Sequence, residues 1–309
     1  MMRKWWGILK SAAIGYNDDN ALSRGAAIAY YTIVSIAPVL VIVIAIAGLV
    51  FGADAARGAI VDQISGLMGK QGAEAIQSMI QGASNRKSGI IATIVGLVTL
   101  LVTASGVFGE MQSALNAIWK AEPPPGAVGR LVRARLASLG LVAALGFLLM
   151  VSLVISTALS ALDGFLHNLL PGIETVMKVL SFLISYALIS ALFAAIYKVL
   201  PDKRIEWQDV IVGALATGAL FTIGKFGISA YIGSSAIASS YGAAGALIVI
   251  LVWIYYSSQI FLFGAEFTRA FAETHGSHAA AQVAAKAVTA PMSHKQEIEY
   301  LKRALDSAR

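Results

Sequence analysis

The sequence predicts an all-α integral membrane protein with six transmembrane helices, and with short amphipathic helices in the first outer loop and at the amino terminus. Three observations carry this. Of 309 residues, 58% are apolar and only 13% charged, and the mean hydropathy is +0.75, a composition that no soluble surface requires. Six runs approach the roughly 20 apolar residues that a helix needs to cross a bilayer. Lys and Arg gather in alternate loops between those runs, as they do in cytoplasmic loops.

The amino-terminal stretch MMRKWWGILKSAAIGY is basic but lacks a continuous apolar core ending in small residues, so it reads as retained. Trp5, Leu9, Ala12 and Tyr16 fall on one helical face with Arg3, Lys4 and Lys10 at hand, the pattern of an interfacial helix. The first span covers about 26–51 and contains Pro38, which leaves the carbonyl of Val34 without its helical partner and is the hinge candidate. Thr32 and Ser35 stand nearby to satisfy freed backbone groups.

The outer loop 52–88 is too long to be structureless. Ile60, Ile64, Leu67 and Met68 recur at helical spacing, and so do Ile76, Met79, Ile80 and Ala83, predicting two short amphipathic helices over the outer face. The second span, about 89–108, continues as a helix through ALNAIWK until EPPP ends it. The remaining spans are about 136–162, 179–197, 210–232 and 242–264. The last two are parted by IGSSAIASSYGAAG, whose Gly and Ser punctuate an otherwise uncharged run as a tight turn. Residues 1–271 thus form the membrane domain and 272–309 a cytoplasmic tail, in which Ser293 and Gln296 cap a final helix.

Orientation follows from the loops. An internal amino terminus places Arg3, Lys4, Lys10, Arg24, Lys120, Arg130, Arg133, Arg135, Lys198, Lys203 and Arg204 in the cytoplasm. The loop DGFLHNLLPGIE, on the other side, has no Lys or Arg. The exception is 52–88, whose Arg57, Lys70, Arg86 and Lys87 are mixed with Asp54, Asp62 and Glu74. Both termini are therefore expected inside.

Polar residues in the spans are the functional candidates, because a charge near mid-bilayer costs about 2.5 to 3.5 kcal/mol on insertion scales. Lys225, in FTIGKFGIS, shares a face with Gly218, Thr222 and Ser229. It stands roughly 10 Å from the outer end of its span at 1.5 Å per residue, so its stem could snorkel part of the way. In the second span Thr99, Thr103, Gly106, Glu110 and Ser113 share a face, and in the sixth Tyr255, Gln259 and Glu266 align, with Arg269 one turn on. The glutamates read either as interfacial residues paired with Arg24, Arg269 or the loop arginines, or as groups lining a polar cavity to which all three stripes converge.

There is no cysteine, and none of the four histidines, His167, His275, His278 and His294, lies within a span. Neither metal nor cofactor is expected, and no catalytic residue stands out, because no GxxxxGK[ST] or HExxH is present.

The stretches AAIAYYTIVSIAPVL, ALNAIW and FTIGKFGISAYIGSSAIASSYGAAGALIVILVWIYYSSQIFLFGAEFTR together resemble the YihY/BrkB family (UPF0761) of bacterial inner-membrane proteins, over about Leu22 to Phe271. The resemblance implies a six-helix protein of the inner, cytoplasmic membrane with a role in envelope-related transport, lipid translocation or ion exchange. Lys225, Tyr241, Gly242, Gly264 and Glu266 are its family-pattern residues here. The family's older ribonuclease label finds no support in the residues, which show no basic and aromatic surface for RNA and no hydrolytic centre. The chain is expected not to be an enzyme and not to bind nucleic acid.

The leading expectation is a transporter or flippase for an amphipathic anion, a lipid of the envelope, with Lys225 attracting the head group. Spans two, five and six would line the path through Thr99, Thr103, Thr222, Ser229, Tyr255 and Gln259. Its partners are then membrane lipids and the anionic amphiphile itself, with an oligomer left open. One alternative is a proton- or cation-coupled exchanger using Glu110 and Glu266. Another is a non-transporting scaffold or assembly protein whose polar stripes hold helices together.

Overall fold

The computed structural model describes residues 2–84, 106–121, 173–234 and 243–277, and among these all regular structure is helical. The elements are α1 (Met2–Asp18), α2 (Ala21–Phe51), α3 (Ala53–Ser84), α4 (106–118), α5 (Ile173–Val199), α6 (Trp207–Ser234) and α7 (Ala243–Thr274). Three of them are long and apolar enough to cross a membrane: Thr175–Val199, Trp207–Ile232 and Leu247–Thr274. The predicted spans 179–197, 210–232 and 242–264 fall on these. The predicted span 26–51 lies within α2. The predicted spans 89–108 (apart from 106–108) and 136–162, and the tail beyond 277, lie outside the described residues.

Pro38 does not end α2, which runs on to Phe51. Thr32 Oγ1 donates to the Ile28 carbonyl at 2.7 Å and Ser35 Oγ to that of Thr32 at 3.2 Å. These hydroxyls bond carbonyls in the turns before the proline and not that of Val34, the one Pro38 frees, so the expected compensation is not made by them.

The segment after α2 differs from its sequence reading. One residue, Gly52 at φ 85°, separates α2 from a single 32-residue α3, where two short helices over the outer face were predicted. The physical reason is that apolar residues from both halves pack into the bundle. Ile60 and Ile64 from its first half, and Ala75, Ile76 and Ile80 from its second, share one apolar cluster with Ala29, Ile33, Leu40 and Ile44 of α2 and Ile250 and Ile254 of α7. A helix packed on two neighbours tolerates interior glycines such as Gly66 and Gly69 that weaken it in isolation.

Helices α6 and α7 run antiparallel and approach closely at small residues. A β-carbon on Gly213 would strike Thr268, one on Gly264 would strike Thr217, and one on Gly224 would strike Tyr256 and Ile260. Such seams suit helices in lipid, where packing and interhelical hydrogen bonds replace the hydrophobic drive. Tyr197 of α5 locks this seam: its buried hydroxyl donates to the Phe261 carbonyl at 2.7 Å and lies 3.2 Å from Thr217 Oγ1.

One end of the bundle gathers the α1–α2 junction, the end of α4, the α5–α6 connection and the end of α7. Asn116 Nδ2 donates to Asp202 Oδ2 at 2.8 Å, and the Asp202 amide donates back to Asn116 Oδ1 at 2.8 Å. Lys203 Nζ donates to the Trp119 carbonyl at 3.0 Å. Asp209, fully buried in the first turn of α6, accepts from Ser277 Oγ at 2.6 Å.

A charged cluster beneath the amino-terminal helix

The amino-terminal helix is the lid of this end. Its inward face is Ile8 and Ala12, which pack on Phe267 and Ala270 of α7, followed by Gly15 and Asp19. The predicted face took Leu9 where the structure buries Ile8, a rotation of less than a third of a turn that leaves Leu9 exposed. Trp5 lies at the edge of the contact, stacked on Phe267 and Phe271 with centroids 6.4 and 6.3 Å away.

Beneath α1 lies Glu266, 1% exposed. Neither of its carboxylate oxygens receives a hydrogen bond from an N–H or hydroxyl donor among the described residues, and the Asp19 carboxylate lies beside it. The nearest cation is Arg269 Nη1, 3.8 Å from Oε2. Gly15 lets α1 sit directly on this carboxylate, since a β-carbon there would meet Glu266 Oε2 and displace it. A buried carboxylate without donors is a costly arrangement, in contrast to the usual rule that buried charges are paired and hydrogen-bonded.

Asp19, also buried, receives an ion pair from Lys120 and another from Arg269 Nη1 at 3.3 Å. Arg269 Nη1 donates as well to the Ile118 carbonyl at 2.6 Å, and its Nε lies 3.4 Å from Glu273. Arg24 Nε donates to the Asp19 carbonyl at 3.0 Å, while its Nη1 reaches Ser113 Oγ at 3.3 Å and Glu110 Oε1 at 3.8 Å. Further back along α7 from this cluster, Tyr16 donates to Gln259 Oε1, and Gln259 Nε2 donates to the Leu22 carbonyl at 3.4 Å. Burial, and then the neighbouring Tyr255, push the Tyr16 hydroxyl above its ordinary pKa, so it remains a donor.

The structure thus brings together Glu110, Gln259 and Glu266, with Tyr255 close by. Gly106, Glu110 and Ser113 do share the face that meets α2, where Gly106 lies against the Tyr31 ring. Asp19, Lys120 and Tyr16 complete the cluster and were missed. Nothing local marks them, because Asp19 and Lys120 are 101 positions apart.

The fifth-span stripe does not join them. Gly218 faces Ser190 and Tyr186 of α5, and Thr222 Oγ1 is spent on the Gly218 carbonyl at 2.7 Å. Of that stripe Gly218 thus faces α5, while α6 turns Gly213 and Gly224 to α7. Lys225 is partly buried, with Nζ 5.3 Å from the centre of the Phe226 ring. Among the described residues it has no carboxylate partner. Ser229 is partly buried, and Thr99 and Thr103 lie outside the described residues.

The sequence profile of the virulence factor BrkB family matches residues 12–288. The chain belongs to that family. Its BrkB-type relatives include UPF0761 membrane proteins of Rhodospirillum centenum, 26% identical over 86% of this chain and 58% of the relative, and of Pseudomonas paraeruginosa, 29% identical over 80% and 58%. Another, from Yersinia pestis, is 32% identical over 64% of both chains. The chain spans less than two thirds of the length of these curated relatives. No solved structure matches. The family match covers α1 from Ala12 onward and hence the whole charged cluster, and it makes the chain a membrane protein.

Proposed function

We propose that this BrkB-family protein is a six-span inner-membrane transporter that translocates an anionic amphiphile, a lipid of the envelope, with Lys225 as the cation that meets the head group. The observation that carries the reading is the state of Lys225. It sits in the interior of a membrane-length helix, partly buried, with an aromatic face and no carboxylate beside it among the described residues. A lysine kept in such a place at several kcal/mol is a functional site by default. The exposed Ile223 and Phe226 flanking it give acyl chains an apolar surface next to the charge. In this reading the chain is not a hydrolase, and no step requires a metal or nucleotide.

The test pairs stability with binding. Lys225→Met keeps the stem volume, so the detergent-solubilised variant should melt within about 2 °C of wild type, as for a change of under 0.5 kcal/mol, yet lose binding of anionic phospholipid head groups. A Met variant that is stable and binds as wild type contradicts the anion site.

A second reading, proton- or cation-coupled exchange, is favoured by Glu266, whose buried oxygens lack donors while Arg269, Lys120, Asp19 and Glu110 surround it or its partners. Such a carboxylate would exchange a proton or small cation during the cycle. Unchanged transport in Glu266→Gln would sink it.

A further inference from the structure

We propose that α1 is a movable cover that controls access to Glu266 from the end of the bundle where α1, α4 and α7 meet. The inference rests on the exchange reading for its purpose, but its geometry stands apart from it.

Only a single helical layer covers the carboxylate among the described residues. Gly15 lies directly on Glu266, while its neighbours Ile14, Asn17 and Asp18 are exposed on the far side of the same helix. Displacing one helix therefore opens a group that is otherwise sealed.

The cover is fastened at two points. Asp19 is gripped by Lys120 from the end of α4 and Arg269 from α7, and Tyr16 is tied to Gln259. Beyond the fastenings the contact is apolar and carries no further ionic or hydrogen-bonded tie among the described residues: Ile8 and Ala12 pack with Phe267 and Ala270, flanked by Val212 and Ala216 of α6 and Phe263 and Phe271 of α7, and Trp5 stacks on two rings. The connection to α2 is a two-residue turn in which Asn20 adopts the left-handed conformation, φ 54°, a local joint at which a small dihedral change re-aims the helix.

The outward face of α1 is built to stay at a lipid surface when the fastenings release. Trp6, 70% exposed, lies with Lys10 on the exposed side and Leu9 beside it, the mixture of aromatic, aliphatic and basic groups that settles in a head-group layer. Release of the ionic grip then exchanges one partner surface for another.

The chain contains no cysteine, so single cysteines report access cleanly. In nanodiscs, where both faces meet solvent, the labelling rate of Glu266→Cys with a charged methanethiosulfonate is compared in two backgrounds, α1 intact and Tyr16→Phe with Asp19→Asn. Glu273→Cys, on the same helix and about half exposed, is the reference. The thiol introduced by Glu266→Cys should react slowly with α1 intact and at least about tenfold faster when the fastenings are removed, as expected for local opening, while the rate of the Glu273→Cys reference stays constant. Trp5→Ala, which loosens the same helix without touching a charge, should raise the labelling rate at position 266 too. Equal rates at position 266 in the intact and released backgrounds, whether fast or slow, overturn the cover. Retained transport by Glu266→Gln would remove the exchange reading and leave the labelling result untouched.

Discussion

At the scale of single residues, Gly264 and Gly213 decide how tightly α6 and α7 close. A β-carbon at Gly264 would strike Thr217 Oγ1 and come within 2.6 Å of the Tyr197 hydroxyl, and one at Gly213 would meet the Cβ and both branches of Thr268. Neither neighbour is the free end of a flexible side chain. Gly264→Ala and Gly213→Ala should each cost about 1 to 3 kcal/mol, read as a lower melting temperature in detergent, whereas Gly227→Ala, with open space around it, should be neutral or slightly stabilising. Gly15→Ala should be milder than Gly264→Ala, because the struck group, the Glu266 carboxylate, can swing. Part of the charged cluster was legible at this scale: helical spacing placed Gly106, Glu110 and Ser113 on one face, and Arg24 and Arg269 stood among the candidate partners of the glutamates. Asp19 was not legible, because it sits at a helix end where neither periodicity nor motif distinguishes a gripped carboxylate from a solvated one.

At the scale of elements, α1 and α3 show what hydropathy reads and what it leaves open. Both segments were expected to be helical, and both are, though 53–84 forms one helix where two short ones over the outer face were predicted. What sequence did not settle is where the apolar face goes: the pattern in 60–80 is the same for a helix skimming a surface and for one packed on α2 and α7. The two placements differ in the cost of truncation. Because Ile76 and Ile80 are buried in the α2–α3–α7 cluster, Ile76→Ala and Ile80→Ala should each cost at least about 2 kcal/mol, and a loss within about 0.5 kcal/mol, the range of ordinary surface substitutions, would return α3 to the surface. For α1 the fastening is electrostatic. Asp19→Ala removes charge-assisted bonds to Lys120 and Arg269, but Lys120 is largely exposed and Arg269 keeps Glu273 and the Ile118 carbonyl. The expected loss is therefore about 1.5 to 3 kcal/mol, short of that for a fully stranded ion, and proteolysis should release α1 before the rest of the chain.

At the scale of the whole molecule, three of the predicted cytoplasmic charges among the described residues, Arg24, Lys120 and Lys203, contribute to contacts at one end of the bundle, while Arg130, Arg133 and Arg135 lie outside the described residues. Reporter fusions after Arg204 and Arg309 should read cytoplasmic and one after Gly172 external; a cytoplasmic signal at Gly172 would contradict six spans with both termini inside. The membrane character of the chain was fully legible in composition, because twenty apolar residues in a row have few other uses. Substrate was not, because one lysine gives a charge and no shape. The central claim is that Lys225 carries an anionic amphiphile through the bundle. The most direct measurement is translocation of fluorescent anionic and zwitterionic phospholipids in proteoliposomes holding wild type, Lys225→Arg or Lys225→Met. Wild type should move the anionic lipid above the protein-free rate, Arg should retain much of that activity, and Met should fall to the protein-free rate while remaining folded. A folded Met variant that moves the anionic lipid as fast as wild type would contradict the account.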